Sequence, residues 1–145
     1  MRVEDIMSEP AVTVPREMMV HDAIEEMLRN RVGSVVVVAD GNAVGIMTRS
    51  DALRAAYHAG CDLREIPVSR AMSEDLLTTK RTRTLRSVLR TMEKHNIKKL
   101  PVVDGFEPVG IVTMSDIAHH LPEEVQAATA KLDRSDDWNQ SATHR

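Results

Sequence analysis

The sequence predicts an α+β fold, sandwich-like, in which two β-α-β-β-α repeats pack sheet to sheet with pseudo-twofold symmetry. Three observations lead there. The chain matches itself at one fixed offset. Each copy sets one amphipathic helix between strand-like runs. The 145 residues, 42% of them hydrophobic, suffice for one shared core but not for two large independent domains.

Sliding the chain by 65 residues lays residues 3–56 over 68–121 without a gap, and 15 of the 54 positions are identical. Composition alone gives roughly three. Met7-Ser8-Glu9 falls on Met72-Ser73-Glu74, Val37-Val38 on Val102-Val103, and GIMTRSD (45–51) on GIVTMSD (110–116). A unit of this size buries too little surface to be secure alone, so the copies are expected to share their core.

Each copy reads alike. A helical turn near Val3–Met7 leads to a short extended piece, 11–14, closed by Pro15. Val20, Ala23, Ile24, Met27 and Leu28 then form one helical apolar face, matched by Leu85, Val88, Leu89 and Met92. The β-branched run 34–39 ends at the turn pair Asp40-Gly41, and a second strand follows over 43–48. The second copy has strands over 100–103 and 108–113 about the turn Asp104-Gly105. Ser50 and Ser115 read as N-caps of helices over 51–58 and 116–121. The expected organisation is a first repeat over 1–59, a linker over 60–67, a second repeat over 68–121, and a C-terminal helix with a mobile tail over 122–145. The helix should reach about Leu132, and the tail carries the lone Trp138.

Composition excludes several classes. Three aromatic residues in all leave no stacking platform for single-stranded nucleic acid. The lone Cys61 excludes an internal disulfide and a paired-cysteine metal site. The longest apolar run, 35–39, is too short to span a bilayer, and no secretory leader is visible, so a cytoplasmic location is expected. His58, Cys61, Asp62, His119 and His120 lack zinc-ligand spacing, and Cys61 has no evident activating base. Neither a metal nor a catalytic site is expected.

The tandem G-h-h-T-x-x-D motif, with LPVVD (100–104) ahead of its second copy, resembles the CBS domain, named after cystathionine β-synthase. A tandem pair resembles a Bateman module. The resemblance spans residues 3–121 and implies adenosine-nucleotide sensing in clefts between the repeats, with AMP, ADP, ATP or S-adenosylmethionine as ligand. It also implies dimerisation and signalling to a regulated protein. Carried over position by position, it nominates Thr13, Val14, Thr78, Thr79, Val35, Val36, Leu100 and Pro101 against adenine, and Lys98 and Lys99 against phosphate. The first copy has Gly33-Ser34 where the second has Lys98-Lys99.

The motif also makes physical sense by itself. Gly45 and Gly110 admit a close ligand, Thr48 and Thr113 offer a hydroxyl, and Asp51 and Asp116 offer a carboxylate that can accept both ribose hydroxyls at a helix N-terminus. The same residues make good helix caps. Common descent of the repeat would preserve them without any binding.

Charge is uneven. Residues 80–99 hold eight basic residues and one acid, +7, so the remainder carries −3 − 7 = −10. Arg83, Arg86, Arg90 and Lys94 form a helical stripe where the first copy has Asp22, Glu25 and Glu26. If those stripes border an interface, they favour a head-to-tail dimer. The sequence thus points to a ligand-sensing regulatory module, a homodimer, without enzymatic activity, cofactor or membrane span. Two alternatives stand beside it: a structural or interaction scaffold with vestigial pockets, and a DNA-associated regulator using the basic stripe.

Overall fold

The computed structural model describes residues 1–130. The expected tail, with Trp138 and the helix end at Leu132, lies outside the described residues. The first repeat contains β1 (Thr13–Pro15), α1 (Val20–Asn30), β2 (Ser34–Ala39), β3 (Asn42–Thr48) and α2 (Arg49–Ala59). A short helix, α3 (Val68–Ala71), leads into the second, which contains α4 (Leu85–His95), β4 (Lys99–Asp104), β5 (Glu107–Thr113) and α5 (Met114–Ala118). Residues 122–130 are helical again.

The first repeat's sheet has the order β1-β2-β3, with β1 parallel to β2 and β2 antiparallel to β3. The second repeat's sheet holds β4 and β5. Both hairpins carry a bulge at the same place, between Val37 and Val38 and between Val102 and Val103. Asp40 and Gly41 both take positive φ, 53° and 80°, as a tight hairpin turn requires. The two sheets meet through β3 and β5.

The repeats differ in their first strand for a covalent reason. In the first, the Val36 amide donates to Val12 O. Its counterpart is Pro101, which has no N–H to give. The extended segment at Thr78-Thr79 is therefore held by a single parallel bridge, Thr79 to Val102, through Thr79 N to Pro101 O and Val103 N to Thr79 O, both 2.9 Å.

The shared core expected from the sequence is instead two apolar clusters. One gathers Val14, Val20, Ala23, Met27, Val35, Val37 and Met47 of the first repeat with Ile66 and Val68 from the segment leading into the second. The other gathers Leu85, Val88, Met92, Leu100, Val102, Val112 and Ile117 with Val3 and Met7 from the chain's beginning. Each repeat's leading segment thus crosses to the other's core. The crossing is held by backbone bonds: Ser8 exchanges two with Ile111, and Ser73 two with Ile46.

Gly45 and Gly110 serve these crossings. A Cβ at Gly45 would lie 2.5 Å from Met72 Sδ and 3.0 Å from Ser73 O, and one at Gly110 would lie 2.6 Å from Ser8 O. The close approach these glycines permit is that of the crossing strand, which corrects the expectation of a ligand there.

The helix over 122–130 buries Val125 and Ala128 on the second repeat's core. Glu124 pairs with Arg86 at 3.4 Å. Among the described residues, no helix covers the matching face of the first repeat, α1 against α2. Leu28 and Leu53 are 74% and 73% exposed there, beside an apolar groove floored by Ile24, Met27 and Ala52.

Candidate functional site: two clefts between the repeats

Crossing of the leading segments creates two clefts related by the repeat. One lies at the start of α2 and is completed by the second repeat. Its walls are Thr48, Arg49, Asp51 and Arg54 on one side and Lys98 and Lys99 on the other, over Ile46 and Ser73. The other lies at the start of α5 and is completed by the first repeat. It joins Thr113, Asp116 and Ile111 to Ser8, Val12, Ser34 and Val36, with Lys99 at its edge.

Both motifs fold as capping boxes, but the N-caps are Thr48 and Thr113 and not the expected Ser50 and Ser115, which lie inside the first turns, because Thr precedes Asp by three residues at a strand-to-helix junction. The Thr48 amide donates to Asp51 Oδ2 at 2.8 Å, and the Asp51 amide to Thr48 Oγ1 at 3.2 Å. The Thr113 amide donates to Asp116 Oδ2 at 2.9 Å, and the Asp116 amide to Thr113 Oγ1 at 3.1 Å. The carboxylates differ beyond that. Asp51, 14% exposed, is also held by Arg54, Nη1 to Oδ1 at 3.2 Å. Among the described residues no side chain holds Asp116 Oδ1, which leaves it available to a ribose hydroxyl.

Electrostatics separates the clefts further. Four cations (Arg49, Arg54, Lys98 and Lys99) surround the single carboxylate of the Asp51 cleft. Among the described residues, Lys99 is the one cation lining the Asp116 cleft. Volumes follow the same division, about 520 Å³ against about 190 Å³. Small-molecule sites commonly occupy about 300–1,000 Å³. Burial pushes the Lys99 ammonium below the ordinary lysine pKa, the Arg49 guanidinium adds to the depression, and the Asp51 carboxylate opposes it.

Strand alternation sorts the remaining nominated residues. Ser34 and Val36 face the Asp116 cleft, whereas Val35, between them, is fully buried in the first core. Lys99 faces both clefts, and Leu100 next to it is fully buried in the second core. Val14 is likewise a core residue. Pro101 is buried and lines neither cleft. Thr13 borders a shallow depression with Glu9, Arg81 and Glu107. Thr78 is exposed, and Thr79 is buried with no partner for its Oγ1 among the described residues.

The sequence reading missed Arg49 and Arg54. The available signal was an arginine directly after Thr48 and another three residues after Asp51, where the second copy has Met114 and His119. It counted charge along the α4 stripe instead, where Arg83 bonds Ser87 and Thr91 and Arg86 pairs with Glu124.

A tandem β-α-β-β-α chain with paired Thr-x-x-Asp caps facing clefts between its repeats defines a class. The CBS-domain family model matches residues 3–58 and 64–123, and the chain belongs to that family. It is 30% identical over 128 residues to the CBS domain-containing protein YhcV of Bacillus subtilis, a match covering 88% of this chain and 91% of that one. The CBS domain pair of protein MJ0100, solved with 5′-methylthioadenosine and S-adenosyl-L-methionine, superposes with a TM-score of 0.76 at 27% identity, over 84% of this chain and 96% of that one. Hypoxic response protein I, solved with two coordinated zinc ions, superposes with a TM-score of 0.74 at 25% identity, over 84% of this chain and all of that one (100%). Among the described residues no three His, Cys, Asp or Glu side chains gather as they would around a metal, and no helix is long and apolar enough to cross a membrane.

Proposed function

We propose that the protein is a regulatory sensor that binds adenosine nucleotides between its repeats and signals their presence to a partner protein, without catalysing a reaction. The observation that carries this reading is the Asp51 cleft. It sets four cations suited to phosphate around one space of nucleotide size, with the Asp51 carboxylate, paired to Arg54, among them. The adenosine ligands of the MJ0100 pair support the same ligand class. A single, exposed Cys61 fits the reducing cytoplasm, where such nucleotides are abundant.

Thermal unfolding with AMP, ADP, ATP, S-adenosylmethionine and adenosine tests the reading. At a concentration 100 times Kd, a ligand that binds only the folded state adds about 2.7 kcal/mol. No stabilisation by any of the five rejects the sensor. One observation favours a scaffold in that event: the capping boxes give Thr48, Asp51, Thr113 and Asp116 a structural role without a ligand.

The homodimer we propose forms through the exposed α1–α2 face of the first repeat, because helix 122–130 covers the matching face of the second. Several of the charges that favoured head-to-tail pairing have partners within the chain: Glu25 and Glu26 pair with Arg29, and Arg86 with Glu124. Sedimentation of Leu53→Lys tests this, with a monomer expected. An unchanged dimer places the interface elsewhere.

A further inference from the structure

Among the described residues, Lys99 is the one charged side chain that lines both clefts. We infer that it couples them: a polyphosphate nucleotide in the Asp51 cleft raises the affinity of the Asp116 cleft for a nucleoside without phosphate. The inference rests on the nucleotide reading above and goes beyond it in assigning a ligand class to each cleft and a direction to their interaction.

The position of the ammonium carries the argument. Lys99 opens β4 and pairs in register with Thr113, the cap of α5. Its side chain crosses to the first repeat and ends against Gly33, where a Cβ would lie 2.7 Å from Nζ. The Arg49 guanidinium carbon is 3.5 Å from the same point. Two cations therefore converge on the wall between the clefts, Lys99 half-buried and Arg49 exposed, with lost hydration first and Arg49 repulsion second disfavouring the Lys99 charge. A phosphate chain between Arg49 and Lys98 relieves that repulsion and draws Nζ towards itself.

The Asp116 cleft then gains room at its edge and loses its single cation. Asp116 Oδ1 becomes the dominant charge there and accepts ribose hydroxyls. The mostly apolar walls of Val12, Val32, Val36 and Ile111 suit a neutral base, and nothing remains to hold a phosphate. The repeat explains why the device is single: the residue matching Lys99 is Ser34, too short to reach across. By linkage, the nucleoside strengthens nucleotide binding by the same factor.

Calorimetry with ATP and adenosine tests this, the adenosine event of the Asp116 cleft being identified by its loss in Asp116→Asn. Saturating ATP should tighten that event at least fivefold in wild type, at the lower end of common site-to-site coupling. In Lys99→Gln, adenosine should bind equally with and without ATP. Gly33→Ala gives an independent handle. The new methyl displaces the Lys99 ammonium and should raise adenosine affinity without ATP, towards the ATP-saturated value. Persistence of the ATP effect in Lys99→Gln overturns the coupling, as does unchanged adenosine affinity in Gly33→Ala. ATP that binds wild type and leaves adenosine unaffected overturns the coupling alone. Failure of ATP to bind overturns the nucleotide reading as well.

Discussion

The two clefts descend from one repeated motif, keep the same Thr and Asp and the same capping bonds, and still differ in kind. The Asp51 cleft is wide, basic and clamps its carboxylate with Arg54. The Asp116 cleft is narrow, nearly neutral in balance, and leaves a carboxylate oxygen open. The difference comes from the residues around the motif. Arg49 is matched by Met114, Arg54 by His119, Lys98 by Gly33 and Lys99 by Ser34. In this pseudo-symmetric pair, the shared part caps the helices, and the substituted rim sets the charge and width of each cleft.

Making the repeats alike is the strongest way to break the comparison. Met114→Arg copies the first repeat's rim into the second, but Met114 is only 5% exposed and belongs to the second core. An unpaired charge there should cost about 3–5 kcal/mol of stability, read by denaturant unfolding, and should not create a second phosphate site. A loss under 1 kcal/mol would mean that the side chain escapes to the cleft and that the clefts are interchangeable.

The reverse exchange is milder. Arg49→Met should leave stability nearly unchanged, since Arg49 is exposed, and weaken ATP binding by about 1.5–3 kcal/mol, roughly tenfold to a hundredfold. Adenosine binding should move far less. Equal losses for the two ligands would assign Arg49 to packing instead of phosphate.

The shared part of the motif predicts equality. Thr48→Ala and Thr113→Ala each remove one capping acceptor at a strand-to-helix junction and should each cost about 1 kcal/mol, measured by urea denaturation. A much larger loss at one of them would show that the caps are not equivalent.

The smallest effect is in pH. The unfolded chain holds the Lys99 proton to higher pH than the folded chain does, so stability should rise as pH climbs from the lowered value towards the ordinary 10.5. Phosphate in the Asp51 cleft favours the charged form and raises the pKa again. ATP binding in that window should therefore take up a proton and weaken as pH rises. Comparing binding enthalpies in buffers of different ionisation heat checks this, and Lys99→Gln should abolish the uptake.

Much of this architecture was legible because the same residues recur at one offset. Hairpins, capping boxes and amphipathic helices are local, and local chemistry writes them into the sequence. Which copy a segment joins is not local. Val3 and Met7 match Val68 and Met72 whether or not the chains cross, so the repeat alone could not reveal the two cores. Cleft residues were half legible for a related reason. Thr48, Asp51, Thr113 and Asp116 stand in the motif, and Lys98 and Lys99 stand beside LPVVD. The alternation that turns Val35 and Leu100 into the cores while Val36 and Lys99 face the clefts depends on strand register, and Arg49 and Arg54 gain meaning only once the second repeat closes over them.

The central claim is that the two clefts recognise different chemistry and that phosphate belongs to the Asp51 cleft. Calorimetric titration of ATP against adenosine, in wild type and Arg49→Met, tests it most directly. One ATP should bind per chain, at least tenfold more tightly than adenosine at that cleft, with the preference collapsing in Arg49→Met. Equal affinity for ATP and adenosine in wild type, or two equivalent ATP sites per chain, would contradict it.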